Sequence, residues 1–109
     1  IAMASDVLYK HSSSKPSYIV DFTRLLPSDT TITAASSVSA AYNSLGTAVT
    51  VSTISEAVSV SGMSMTVPLK AGSDGEDYRL ELNGIGTTTG KNVVFVLEMR
   101  VRDKLSGVV

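Results

Sequence analysis

The sequence predicts an all-β domain: an antiparallel β-sandwich of six or seven strands preceded by an extended N-terminal arm. Three observations carry that reading. Toward the C-terminus, Val93, Phe95, Leu97, Met99 and Val101 share one parity, while Asn92, Val94, Val96, Glu98, Arg100 and Arg102 share the other. A period of two over that length is the pattern of a strand with one face in a core and the other largely wet. Just upstream, Tyr78, Leu80 and Leu82 alternate with Arg79, Glu81 and Asn83 in the same way. Turn-forming clusters recur along the chain about every 8–12 residues, the spacing of short sandwich strands. Helices fit poorly, because about a quarter of the chain is Ser or Thr, interleaved with Val and Ile.

Composition sets the outer bounds. With 109 residues the chain holds one domain with a real core and no room for two. A net charge of −1 creates no field that would draw nucleic acid or an anionic membrane surface. The absence of cysteine excludes disulfides and thiolate metal sites, so burial and hydrogen bonding must hold the fold. No apolar run approaches the ~20 residues of a membrane span, and no signal-peptide pattern opens the chain. An opening Ile in place of Met points to a missing or processed start.

In chain order, residues 1–17 read as the arm, 18–103 as the sandwich and 104–109 as a C-terminal tail. The arm holds an apolar cluster, Val7, Leu8 and Tyr9, then the polar run Lys10-His11-Ser12-Ser13-Ser14-Lys15 closed by Pro16. Polar runs before proline are extended or linking segments. The arm is therefore either a frayed terminus or a segment that docks on a neighbouring subunit. In the second case Val7, Leu8 and Tyr9, together with Leu105, Val108 and Val109 of the tail, are the contact residues. Deleting residues 1–17 would then leave a folded sandwich.

Tyr18–Phe22 is the first sandwich strand, with Tyr18, Val20 and Phe22 inward. Leu25 and Leu26 form a plug that Pro27 and Ser28-Asp29 terminate, with Asp21 and Asp29 positioned to accept turn N–H groups. Thr31–Tyr42 is a strand, in one piece or two, with Ile32, Ala34, Val38, Ala40 and Tyr42 on one parity and Ser36 marking a bulge or kink. Thr47–Ile54, Ala57–Val60 and Met63–Leu69 follow as strands, the last with Met63, Met65, Val67 and Leu69 on one face. Pro68 removes a backbone donor there, which suggests an edge position or a bulge.

Chemistry-bearing residues are few. His11 is the single histidine and lies in the polar arm, a poor place to organise a Ser–His–Asp triad. Asp74, Glu76 and Asp77 share a loop, but their spacing departs from calcium-binding patterns, and a solvated loop is the plainer reading. Gly84, Gly86 and Gly90 join two strands and cradle no phosphate, since no helix follows them. Lys91, Arg100, Arg102 and Lys104 lack an aromatic platform for nucleic acid, and reading them as charges that protect a sheet edge fits better. No enzyme, cofactor or metal site is expected.

Gly75-Glu76-Asp77-Tyr78 before an alternating strand resembles the tyrosine corner of immunoglobulin-like sandwiches, with Tyr78 as the corner residue and Gly75 in its loop. A wider set runs in order: Tyr18-Ile19-Val20-Asp21-Phe22, Leu25-Leu26, Asp29-Thr30-Thr31-Ile32, Val67-Pro68-Leu69-Lys70-Ala71-Gly72, Gly75 to Tyr78, Thr87-Thr88-Thr89-Gly90-Lys91 and Val101-Arg102-Asp103. Over residues 18–103 this resembles the small immunoglobulin-like proteins encoded among bacteriophage head and tail genes. Phe22 stands where Trp is frequent in them, and Leu25-Leu26 replaces a more aromatic plug. The resemblance implies a non-enzymatic virion structural protein that decorates or cements the capsid or serves the head–tail junction. It implies a location in the virion after synthesis in the host cytoplasm. The major capsid protein or other virion proteins would be partners, with the chain present in many copies and binding neither nucleic acid nor membrane. The alternative is an immunoglobulin-like adhesion or carbohydrate-binding module of a larger surface protein, which would need an aromatic platform from two Phe and four Tyr.

Overall fold

A computed structural model describes residues 4–104 and shows two facing sheets. The strands are β1 (Ala4–Lys10), β2 (Ser17–Asp21), β3 (Ser37–Tyr42), β4 (Ser59–Ser61), β5 (Ser64–Pro68), β6 (Asp77–Ile85) and β7 (Asn92–Val101), with a 3-10 turn over Val51–Thr53. One sheet has the order β1-β7-β6-β3 and the other β2-β5-β4. The all-β sandwich predicted from the alternation is the fold observed.

The two strands with the clearest alternation form the centre. β6 and β7 pair antiparallel from Asp77↔Arg100 to Ile85↔Asn92 without a break. Their inward residues Leu80, Leu82, Leu97, Met99 and Val101 are fully buried, and Tyr78 nearly so. Facing them, Val20, Phe22, Met65, Val67 and Leu69 come from β2, β5 and their ends; of the expected Leu25-Leu26 plug Leu26 is buried in the core and Leu25 only partly, and Ile32 joins them. The Leu plug is a tight turn in which the N–H groups of Leu25 and Leu26 both donate to the Phe22 carbonyl.

Several expectations are corrected. Residues 4–10 are a strand of the sandwich, and no free arm precedes β2 within the described residues: β1 pairs parallel to β7 from Ala4↔Phe95 to Lys10↔Val101. The sandwich is thus antiparallel with one parallel pair. Leu8 packs against the core, so one of three arm residues assigned to a neighbour is covered by its own chain. Deleting residues 1–17 would strip a sheet edge, so it cannot test attachment alone.

Because β1 covers β7, the Arg and Glu residues of β7 lie within a sheet and protect no edge. Likewise β5 is the middle strand of its sheet, and Pro68 sits at its last position, its carbonyl accepting the Glu56 N–H while the next residue, Leu69, donates to the Pro16 carbonyl. Thr47–Ile54 is not a strand. After an isolated bridge from Ala48 to Tyr42, the Thr53 N–H and hydroxyl both donate to the Thr50 carbonyl and wind the chain into the 3-10 turn. Val49 and Val51 still pack on the core from there.

The Thr31–Tyr42 stretch is indeed in two pieces. Ile32 makes a single bridge to Gly86, the chain turns at Thr33 to Ala35, and β3 begins at Ser37. Ser36 is buried, its hydroxyl accepting the Ile85 N–H. A bulge between Val38 and Ala40 then exchanges the faces, so Ala41 is buried where Ala40 was expected inward.

The sheets approach closely at Gly84. A Cβ there would lie 2.6–2.7 Å from three atoms of the Phe22 ring, closer than any carbon contact allows. Gly84→Ala is expected to destabilise the fold by about 1–3 kcal/mol through overpacking. Phe22→Leu costs stability alone but should relieve part of that penalty in the double variant. Strictly additive losses across this cycle in urea denaturation would count against direct contact as the cause.

Candidate interaction surface

The acidic loop residues singled out for chemistry each find a structural partner. Asp74 accepts the Asp103 N–H, Glu76 accepts the Ser44 N–H and hydroxyl, and Asp77 faces Arg102. The Arg102 Nη2 to Asp77 Oδ1 distance is 2.7 Å, close enough for charge pairing although the two are not aligned as a hydrogen bond. The three carboxylates therefore turn to three different partners. Among the described residues no three His, Asp or Glu side chains converge on a metal position. No described helix is long and apolar enough to cross a membrane.

His11 does meet a serine and an aspartate. Its Nδ1 lies 2.8 Å from the Ser13 hydroxyl, 3.0 Å from the Ser13 N–H and 3.6 Å from Asp103. A triad needs the carboxylate on one ring nitrogen and the hydroxyl on the other. Here both approach the same nitrogen, so the arrangement closes an exposed turn and does not relay a proton.

The corner contact expected of Tyr78 is present. Its hydroxyl accepts the Ser73 N–H at 3.1 Å, five residues upstream. Gly75 has φ +84, a left-handed conformation at the tight turn just before β6, and its N–H donates to the Val101 carbonyl. Gly72, φ +91, lies so close to Val101 and Tyr78 that a side chain would collide with them.

Two buried charges were missed in the sequence. Lys10, placed in a solvated run, is buried and donates from Nζ to the carbonyls of His11, Ser12 and Ala71. Burial lowers its pKa, and Asp103 partly offsets this. Asp29 reaches past its own turn to the β6–β7 hairpin loop. Its Oδ1 accepts the Thr88 N–H at 2.7 Å and the Thr89 N–H at 3.0 Å, and its Oδ2 accepts the Thr89 hydroxyl at 2.6 Å. Gly86 supplies the clearance, since a Cβ there would overlap the carboxylate. The signal was Asp29 in one loop and a Thr-Thr-Thr-Gly run in another, which nothing local connects.

The surface is less uniform than the composition implies. On the outer face of the four-stranded sheet, the Arg100 guanidinium lies 5.7 Å from the centre of the Tyr9 ring and Arg79 lies 5.2 Å from that of Tyr42. Arg100 also pairs with Glu98, and Arg79 with Glu81. Val7, Tyr9 and Val94 stay exposed on this face. At the end of β3, Tyr42, Asn43, Ser44, Gly46, Arg79 and Glu98 border an open cleft of about 560 Å³.

Beside that cleft projects Leu45, 90% exposed, the most exposed large apolar side chain described. Its turn is braced. Asn43 Oδ1 accepts the N–H groups of Leu45 and Thr47, each at 3.0 Å, and the Asn43 N–H donates to the Thr47 carbonyl. Ser44 is held by Glu76 and in turn accepts the Asp77 N–H. Sequence reading took Asn43-Ser44-Leu45-Gly46 as a plain turn. The tail residues expected to contact neighbours, Leu105, Val108 and Val109, lie outside the described residues. Comparison with protein-family models, curated proteins and solved structures found no match.

The Thr89 hydroxyl chiefly, with the Thr89 and Thr88 N–H groups and the Lys91 charge, holds the Asp29 carboxyl below the usual range against the opposing effect of burial. A depressed carboxyl contributes stability that is full above its unfolded pKa of about 3.9 and is lost as pH falls through the folded value. The melting temperature should therefore fall below about pH 4, and Asp29→Asn should flatten that fall while lowering the neutral-pH value. Parallel pH profiles for the two proteins would refute the assignment. Tyr78→Phe should cost about 1 kcal/mol in chemical denaturation, leaving the Ser73 N–H without its acceptor.

Proposed function

We propose that this protein is an immunoglobulin-like, non-enzymatic structural component of a bacteriophage virion, carried in many copies on the capsid lattice or at the head–tail junction. The observation that carries the binding part of this reading is Leu45 on its braced turn. An apolar side chain held out on a rigid support loses little conformational entropy when it enters a partner's pocket. Burying one leucine contributes about 1.5–3 kcal/mol, a weak bond alone. Repetition over a lattice multiplies such bonds into firm attachment. The virion part rests on the ordered motif set from Tyr18 to Asp103, to which the Tyr78–Ser73 corner adds support.

A second reading has one observation in its favour. The cleft beside Tyr42 combines an aromatic ring with Asn43, Arg79 and Glu98, groups that suit a sugar's face and hydroxyls. The Arg79 guanidinium already lies over the Tyr42 ring, which limits what a sugar could stack on. A glycan array separates the two readings, since specific glycan capture favours an adhesion or carbohydrate-binding module.

Purified virions should contain the chain at a copy number comparable to a lattice repeat, measured by quantitative mass spectrometry. Leu45→Ser should keep the wild-type melting temperature and reduce co-sedimentation with capsids by about tenfold or more. Absence from virions sinks the virion reading, and undiminished sedimentation of the variant removes Leu45 as the anchor.

A further inference from the structure

β1 is a sheet edge whose free side can be assigned group by group. The Lys10 carbonyl accepts the Arg102 N–H, so Lys10 turns its peptide groups toward β7. Alternation then directs those of Asp6 and Leu8 the same way and those of Ser5, Val7 and Tyr9 outward. Consistent with that, the Val7 N–H is taken by a side chain, Asp6 Oδ1, at 2.8 Å. The side chains of Val7 and Tyr9 are 42% and 51% exposed on the outer face, while Leu8 packs on the core and Lys10 is buried.

Most of the usual protections of an edge are missing here. Native sheets blunt their edges with short strands, outward Lys, inward-pointing charges, Pro or bulges. β1 has seven residues, an unbroken register with β7, no proline, and a lysine buried inward. The other edges are shorter or covered. β4 has three residues and β2 five. The segment Thr47–Val49 lies along β3, with the Val49 N–H on the Ala41 carbonyl. The guards of β1 are two charges turned away from its free edge: Lys10 is buried, and the Asp6 Oδ2 accepts the Tyr18 hydroxyl at 2.7 Å.

We propose that β1 is the seam of a two-fold dimer, pairing antiparallel with β1 of a second copy and centred on Val7. The strand is self-complementary in this register. Val7 meets Val7 of the other copy, and Ser5 meets Tyr9 in both directions. Every outward N–H then faces an outward carbonyl, because all three residues direct their peptide groups to the same edge. The two exposed apolar side chains cover each other, Tyr9 lying diagonally against the opposite Val7, a favourable aromatic–branched pair. At the centre, the incoming Val7 carbonyl replaces Asp6 Oδ1 on the Val7 N–H. The two four-stranded sheets become one continuous sheet of eight. The seam does not rest on the virion reading. A dimer that ignores capsids would leave it standing, and a monomer that binds capsids would remove it alone.

Sedimentation equilibrium on the whole chain tests the seam. The wild type should dimerise with a dissociation constant of about 1–100 μM. Val7→Lys and Val7→Glu change only an exposed side chain, so both should keep the wild-type far-UV spectrum and melting temperature. Each alone should dimerise at least about tenfold more weakly, since like charges meet across the two-fold axis. Mixed in equal amounts, the two variants should form a heterodimer at close to wild-type affinity. A monomeric wild type overturns the proposal, as does a dimer that neither substitution weakens or a mixture that fails to restore pairing.

Discussion

The parallel pairing of β1 with β7 is the contact on which the rest of the sandwich depends. It encloses β7 between two partners, so that its inward Leu97, Met99 and Val101 can be fully buried. It carries Lys10 to the corner where the His11, Ser12 and Ala71 carbonyls converge. It also determines which backbone groups of the molecule remain free, since β1 becomes the edge in place of β7. A chain without cysteine has no covalent means of joining its first and last strands. Here hydrogen bonding over seven consecutive residue pairs does so.

Polar clamps secure the loops that the apolar core does not reach. Asp29 fixes the β6–β7 hairpin loop from a turn on the opposite sheet's side, and Tyr78 holds the loop before β6 by the Ser73 N–H. Glu76 and Ser44 brace the turn after β3. Each clamp joins residues far apart in sequence or at a tight corner, and each satisfies backbone donors that would otherwise face partial burial unpaired. The loops that carry the exposed features are thereby braced by hydrogen bonds, although they are rich in Gly, Ser and Thr.

What the sequence made legible follows from period. Where inward residues are large and apolar over a long run, as in β6 and β7, alternation identified both the strand and its buried face. The same held for Tyr18–Phe22 and Met63–Leu69. Reading failed where the pattern was short or its meaning depended on a partner. Val7, Leu8 and Tyr9 are three apolar residues in a row, and only the neighbouring β7 decides that Leu8 faces inward. Thr50 and Thr53 compete for backbone bonds and convert a strand-like run into a turn. Charges on β7 suit an edge or an interior outer face equally well, and strand order alone distinguishes the two. Leu45 gave no signal, because exposure of a single leucine is a property of its support.

The direction of β1 has a mechanical consequence. Because β1 and β7 run parallel, the chain enters their shared ladder at Ala4, beside Phe95, and leaves it at Val101, beside Lys10. Tension between the two ends of the domain therefore acts along the strand axes in opposite senses. It loads the rungs of this ladder together, in shear, and cannot peel them apart one at a time. A domain tethered at both ends would resist extension until the whole ladder yields at once.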